Sequence, residues 1–218
     1  MTRIAVVGGH GQIARLLHPM LLGAGHEPVA LVRSEAQAAE LEATGVTTRH
    51  LDIEAGDVDD FVSAFEGCGA VVFAAGGGPD GNVERKKTVD LDGSLLSIEA
   101  AKQLGIDRFV QVSAINVDEP VPDDAGEVWA AYVAAKRDSD AALRESGLDW
   151  TILRPGRLTD APGTGLVALG PDVARAEIPR ADVAEVIAAV LEDPATAGKQ
   201  WNLVSGDLRV GDAIAAAL

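Results

Sequence analysis

Basic residues are scarce in this chain: Lys and Arg number 18 against 34 Asp and Glu, for a formal net charge of -16. At that charge the molecule repels nucleic acid and anionic lipid at long range, so neither is an expected partner. A phosphate-bearing ligand stays open, because helix N-terminal amides and a few local cations suffice to receive it. Cysteine is nearly absent. Cys68 stands alone, which excludes an intrachain disulfide and a thiolate metal cluster. The histidines His10, His18, His26 and His50 show no zinc-ligand spacing, so no metal site is expected. No apolar run reaches the roughly 18 to 20 residues that span a bilayer. The opening MTRIAVVGGHG enters a strand at once and lacks the layout of a signal peptide. The expectation is a soluble, cytoplasmic protein.

What is present is an alternation of short β-rich runs with longer amphipathic ones, the pattern of a mostly parallel sheet flanked by helices. Runs at 3–7, 28–32, 46–51, 70–75, 108–113, 149–154 and 200–204 give about seven strands. Helices are predicted over about 11–22, up to 43, 86–104, 127–145 and 183–192. At 218 residues with 47% hydrophobic content, one α/β domain is expected. Nothing marks a boundary, and a small substrate-binding region is assigned to about 155–180 and 206–218. Three connections follow strand ends, where open α/β sheets bind ligands: 76–84, 115–126 and 155–171.

The first of the chemical motifs is VVGGHGQIA (6–14), between the first strand and the first helix. It reads in two registers. Gly9, Gly11 and Ala14 fit the dinucleotide fingerprint with a terminal Ala, while Gly8, Gly11 and Ala14 fit a looser spacing. In either, glycine lets the backbone approach a pyrophosphate, and the amides of Gly11, Gln12 and Ile13 face it at the helix N-terminus. With His10 these residues form the predicted phosphate loop. The bland reading is a tight strand-to-helix turn. The second strand ends in Arg33 and Ser34, where an NAD-selective site would carry an acid. A cation and a hydroxyl suit a 2′-phosphate, so NADP(H) is preferred over NAD(H). Asp52 fits either an acceptor for the adenine amino group or a turn cap.

The second motif is YVAAK (132–136), holding the only tyrosine of the chain. Four residues apart on a helix, Tyr132 and Lys136 share a face. A carbonyl that receives hydride needs a proton on oxygen, and a phenol supplies it. A nearby ammonium lowers the phenol's pKa from its usual value near 10. Lys136 is also expected to reach the ribose hydroxyls, and Ser113, at the end of the fifth strand, to hydrogen-bond the substrate oxygen. The competing reading is an ordinary amphipathic helix, with Tyr132 packed and Lys136 solvated. Trp129 and Trp150 read as packing residues.

Taken together, these segments resemble the short-chain dehydrogenase/reductase superfamily, in its atypical, NmrA-like NAD(P)-binding branch, over nearly the whole chain. The resemblance implies a doubly wound Rossmann fold. It places Tyr132, Lys136 and Ser113 at catalytic positions, and Pro155, Gly156 and Arg157 where backbone meets the nicotinamide. LDIEAGD (51–57) is similar to the adenine loop, which adds Ile53 to Asp52. VVFAAGGG (71–78) is similar to the strand under the cofactor, which adds Ala74, Ala75 and Gly76, and Val112 joins them from the fifth strand. The implied activity is NADP(H)-dependent reduction or dehydrogenation of a small carbonyl, quinone or flavin-type substrate, its identity open. The alternative is an NADP(H)-binding redox sensor that presents the acidic loop 118–124 to a partner protein. An epimerase with tightly held cofactor is a third reading, against which the short substrate region argues.

Overall fold

The structure, a computed structural model, describes residues 1–78 and 81–218. Eleven strands form in the described residues: β1 (Arg3–Val7), β2 (Glu27–Val32), β3 (Thr47–His50), β4 (Ala70–Phe73), β5 (Arg108–Val112), β6 (Asp149–Pro155), β7 (Arg157–Thr159), β8 (Leu166–Gly170), β9 (Glu177–Pro179), β10 (Lys199–Ser205) and β11 (Leu208–Arg209). The helices are α1 (Gln12–Gly23), α2 (Glu35–Glu42), α3 (Val58–Phe65), α4 (Val83–Arg85), α5 (Gly93–Leu104), α6 (Glu127–Arg144), α7 (Arg180–Glu192) and α8 (Val210–Ala217). A π-helical stretch, Lys86–Asp92, joins α4 to α5.

The main sheet runs β11-β8-β10-β6-β5-β4-β1-β2-β3. From β3 to β10 every pairing is parallel, and β8 and β11 add an antiparallel edge. This is the doubly wound α/β class that the alternating pattern predicts. The sheet has nine strands rather than about seven, because short β8 and β11 extend it past β10. β7 and β9 pair separately, in parallel.

Successive side chains of a strand point to opposite faces, and the central strands are apolar at nearly every position because both faces are covered. Ile4 and Val6 of β1 enter a core with Leu17 of α1 and Val186 of α7. Ala5 and Val7 enter the opposite core, with Phe61 of α3, Ala101 of α5 and Leu143 of α6. The sequence pattern missed α3, although its cap is visible there. Asp57 accepts from the Asp60 amide, and the Asp60 side chain returns to the Asp57 amide.

The strand order reverses between β1 and β4, since β1 continues outward to β2 and β3 while β4 continues to β5 and β6. Ligands of such sheets bind at that switch point, beyond the carboxyl ends of the strands.

Candidate active site

A cavity of about 1060 Å³ opens at this edge, running from the end of β2 to the segment after β6. Its floor is the turn after β1. Gly8 has φ +77°, and a Cβ there would lie 2.8 Å from the Ala75 Cα. Only glycine fits so close to β4 in that conformation. Gly11 precedes α1 with no side-chain cap, so no side chain meets the first-turn amides of the helix. Gly8, His10, Gly11, Gln12 and Ile13 all line the cavity. Gly9 does not. Its amide donates to Leu31 O at 3.0 Å, and a Cβ would press on Ala30 of β2 at 2.7 Å. Of the two registers, the one through Gly8 therefore faces the cavity, and Gly9 packs the turn onto β2.

At the β2 end Arg33 is exposed and lines the cavity, with no hydrogen-bond or ion-pair partner for its guanidinium among the described residues. Ser34 lies off the wall and caps α2, accepting from the Gln37 amide at 3.3 Å. Asp52 does two things: Oδ1 accepts from the Glu54 amide at 3.0 Å as a turn cap, and the residue also lines the cavity beside Ile53. Ala74, Ala75 and Gly76 continue the wall from β4, and Val112 from β5. The loop predicted at 76–84 lies partly outside the described residues, at 79 and 80. A glycine cradle, unmet helix amides and a free guanidinium along one cavity are what an extended dinucleotide requires, so the residues fit that cofactor.

Tyr132, Lys136 and Ser113 meet at the far half of the same cavity. Lys136 is 4% exposed. Its Nζ lies 3.1 Å from Asp90 Oδ1 and donates to Val112 O at 3.2 Å and Ala75 O at 3.4 Å. Burial opposes its charge, but Asp90 and Tyr132 outweigh burial and raise its pKa, so it stays an ammonium. Two carbonyls accept its hydrogen bonds, and Asp90 stands beside it as the counter-charge.

Tyr132 is partly buried on α6. Burial pushes its phenol above the ordinary range, with Lys136 pulling down and Asp90 and Asp140 adding to the rise. The sequence predicted the opposite direction from the tyrosine–lysine spacing. The buried Asp90 offsets the ammonium, and spacing along one helix does not reveal a carboxylate from another element. Ser113 is 3% exposed, and its hydroxyl donates to Asp140 Oδ2 at 2.8 Å. Asp140 also accepts from Gln111 Nε2 at 2.7 Å and Arg154 Nε at 2.9 Å. Ser113 thus spends its proton on Asp140 rather than presenting it to a substrate oxygen.

Pro155, the last residue of β6, and Arg157 line the cavity and Gly156 between them does not. The Gly156 amide donates to Leu203 O at 2.9 Å, and a Cβ would run into Ala176 O. The described wall includes residues of 155–180 and none of 206–218, which form β11 and α8 at the sheet edge. Residues that sequence reasoning passed over are Asp90, Arg175, Arg180 and Trp129. Trp129 is 40% exposed, lines the cavity, and packs its ring 5.4 Å from the Tyr132 ring. Its position three residues before Tyr132 was the available signal.

The family described as NAD(P)H-binding matches residues 8–194 of the chain. An uncharacterized sugar epimerase, YhfK, of Bacillus subtilis is 36% identical over 213 residues, covering 97% of this chain and 98% of its own. Quinone oxidoreductase 2 of Escherichia coli is 27% identical and covers 94% of this chain and 68% of its own. Among solved structures, a putative NAD-dependent epimerase/dehydratase of Bacillus halodurans superposes with a TM-score of 0.91 at 36% identity, over 99% of this chain and all of that one.

Proposed function

Since the chain belongs to the NAD(P)H-binding family, we propose that it is an NADP(H)-dependent reductase of the short-chain dehydrogenase/reductase kind, in its NmrA-like branch. The acceptor is a small carbonyl, quinone or flavin-type molecule. One observation carries the reading: the Tyr132 phenol and the buried, charged Lys136 one helical turn away line the same cavity as the glycine turn after β1. The bound nicotinamide supplies hydride. Tyr132 then delivers the proton to the oxygen that receives charge. Lys136, held by Asp90, steadies the developing phenolate. Ser113, committed to Asp140, positions the wall and leaves proton delivery to Tyr132.

Arg33 supports the preference for NADP(H). It stands where an acid would select NAD, and its guanidinium is free to take a 2′-phosphate. The relative named as a quinone oxidoreductase favours the acceptor class, and the one named as an epimerase favours a different outcome. An epimerase returns its hydride and consumes no cofactor. Purified protein given NADPH and a panel of aldehydes, quinones and flavins is expected to oxidise NADPH with at least one class. Tight NADPH binding without oxidation would overturn the reductase reading. Nucleotide-dependent binding of a partner protein would then establish the sensor.

A further inference from the structure

The cavity carries charge of the opposite sign to the molecule. Acidic residues outnumber basic ones 34 to 18 in the chain, yet the carboxylates among its described wall residues are Asp52, Glu54 and Asp90. Asp90 is paired with Lys136 and Glu54 with Arg85. At the other end of the wall stand Arg157, Arg175 and Arg180, all from the segment after β6.

The fold gathers these three deliberately. The Arg157 amide donates to Ala176 O at 2.9 Å, which lays the strand containing Glu177 beside β7 and brings Arg175 to the cavity. Arg180 is the first residue of α7. Two of them are held from outside by exposed carboxylates: Arg157 by Glu177, and Arg180 by Asp160 at 2.6 Å. Arg175 has no hydrogen-bond or ion-pair partner among the described residues and is exposed. An arginine left open to a cavity while the molecule holds a large excess of carboxylates is an anion receptor in its chemistry.

The pyrophosphate of the cofactor does not account for them. It belongs at the turn after β1, and β6 lies three strand positions away, through β4 and β5. At the usual strand spacing that is about 14 Å. The arginines therefore line the β6 side of the cavity, away from the turn after β1 and on the far side of β5, which leads to Ser113.

We propose that the acceptor carries an oxyanion, a carboxylate or phosphate group, received by Arg175 with Arg157 and Arg180 beside it. This rests on the reductase reading and narrows its substrate class. Arg175 acts on affinity and orientation and takes no part in hydride or proton transfer.

The probes are 4-formylbenzoate and its methyl ester, which share the aldehyde and differ in the charge. Each is titrated calorimetrically into NADP⁺-saturated protein, wild type and Arg175→Gln. The anion is expected to bind wild type about tenfold tighter than the ester, the scale of one charged hydrogen bond. That ratio should fall toward one in the variant and shrink with added KCl. Equal affinities in wild type, or a ratio that survives in the variant, would overturn the proposal. So would failure of both probes to bind. NADPH oxidation by the same proteins with the same two probes, NADPH replacing NADP⁺, separates this from the reading beneath it. Selective binding without turnover keeps the anion site and removes the reductase, whereas equal turnover of both probes does the reverse.

Discussion

His18 sits inside α1 at 1% exposure, with its Nε2–H on the carbonyl of Gly9 at 2.7 Å. Peptide planarity gives that bond a consequence. When the Gly9 carbonyl points inward, the amide of the same peptide, on His10, points the opposite way, toward the cavity that His10 lines. His18 thus helps to fix the turn after β1. His18→Leu leaves a buried carbonyl without its donor, at a cost of about 1–3 kcal/mol, and should weaken NADPH binding as well. Burial lowers the His18 pKa below its ordinary 6.5, against the Gly9 bond, which raises it. The unfolded chain then takes up a proton that the folded one refuses. Stability present above about pH 6.5 is therefore lost as pH falls through the lower folded value. Melting temperatures between pH 7.5 and 5.5 should drop less in His18→Gln than in wild type. At this scale much of the site was legible. Gly8, Gly11, Ser113, Tyr132 and Lys136 belong to local motifs and stand together on one cavity wall. Arg175 and Arg180 were not legible, because only the return of the chain after β6 brings them there. The pKa of Tyr132 also depends on Asp90, which is 42 positions earlier in the sequence.

Between elements, one buried network ties α6 to the sheet and to the acidic loop. Asp140 of α6 meets Ser113 and Gln111 from the end of β5, and Arg154 of β6 bonds Asp140 on one side and Asp118 on the other, at 2.5 Å. Asp140 is fully buried and Arg154 nearly so. Removing Asp140 takes from Arg154 its buried partner and leaves it only the half-exposed Asp118, so Asp140→Ala should cost up to about 3–5 kcal/mol in urea unfolding. A cost below 1 kcal/mol would mean that Arg154 finds Asp118 alone sufficient. The acidic loop, a feature of the sequence that suggested a partner surface, is thereby anchored to the core at Asp118. The helix predicted as continuous over 86–104 is instead a π-helical stretch followed by α5. π-turns cluster at functional positions, and this one carries both Lys86 and Asp90 to the cavity wall. Apolar periodicity does not reveal one extra residue in a turn. For the same reason of length, the three-residue β7 and β9 and the two-residue β11 escape a pattern read over longer windows.

For the whole molecule, a net charge of -16 surrounds a cavity walled with arginine and lysine. That contrast favours small anions that fit the cavity and repels extended polyanions that do not. NADPH at a hundredfold over its dissociation constant stabilises by about 2.7 kcal/mol, a rise in melting temperature of roughly 5–10 °C for a chain of this size. NADH at the same concentration should give a smaller rise, and Arg33→Ala should close the gap between the two; an unchanged gap would remove Arg33 from the 2′-phosphate site. The central claim is that Tyr132 delivers the proton during hydride transfer. It is tested most directly by NADPH oxidation with the best acceptor of the panel, comparing wild type with Tyr132→Phe at saturating cofactor. The account predicts a kcat reduced by about 10²–10⁴-fold with NADPH affinity nearly unchanged. Equal turnover by the two proteins would contradict it.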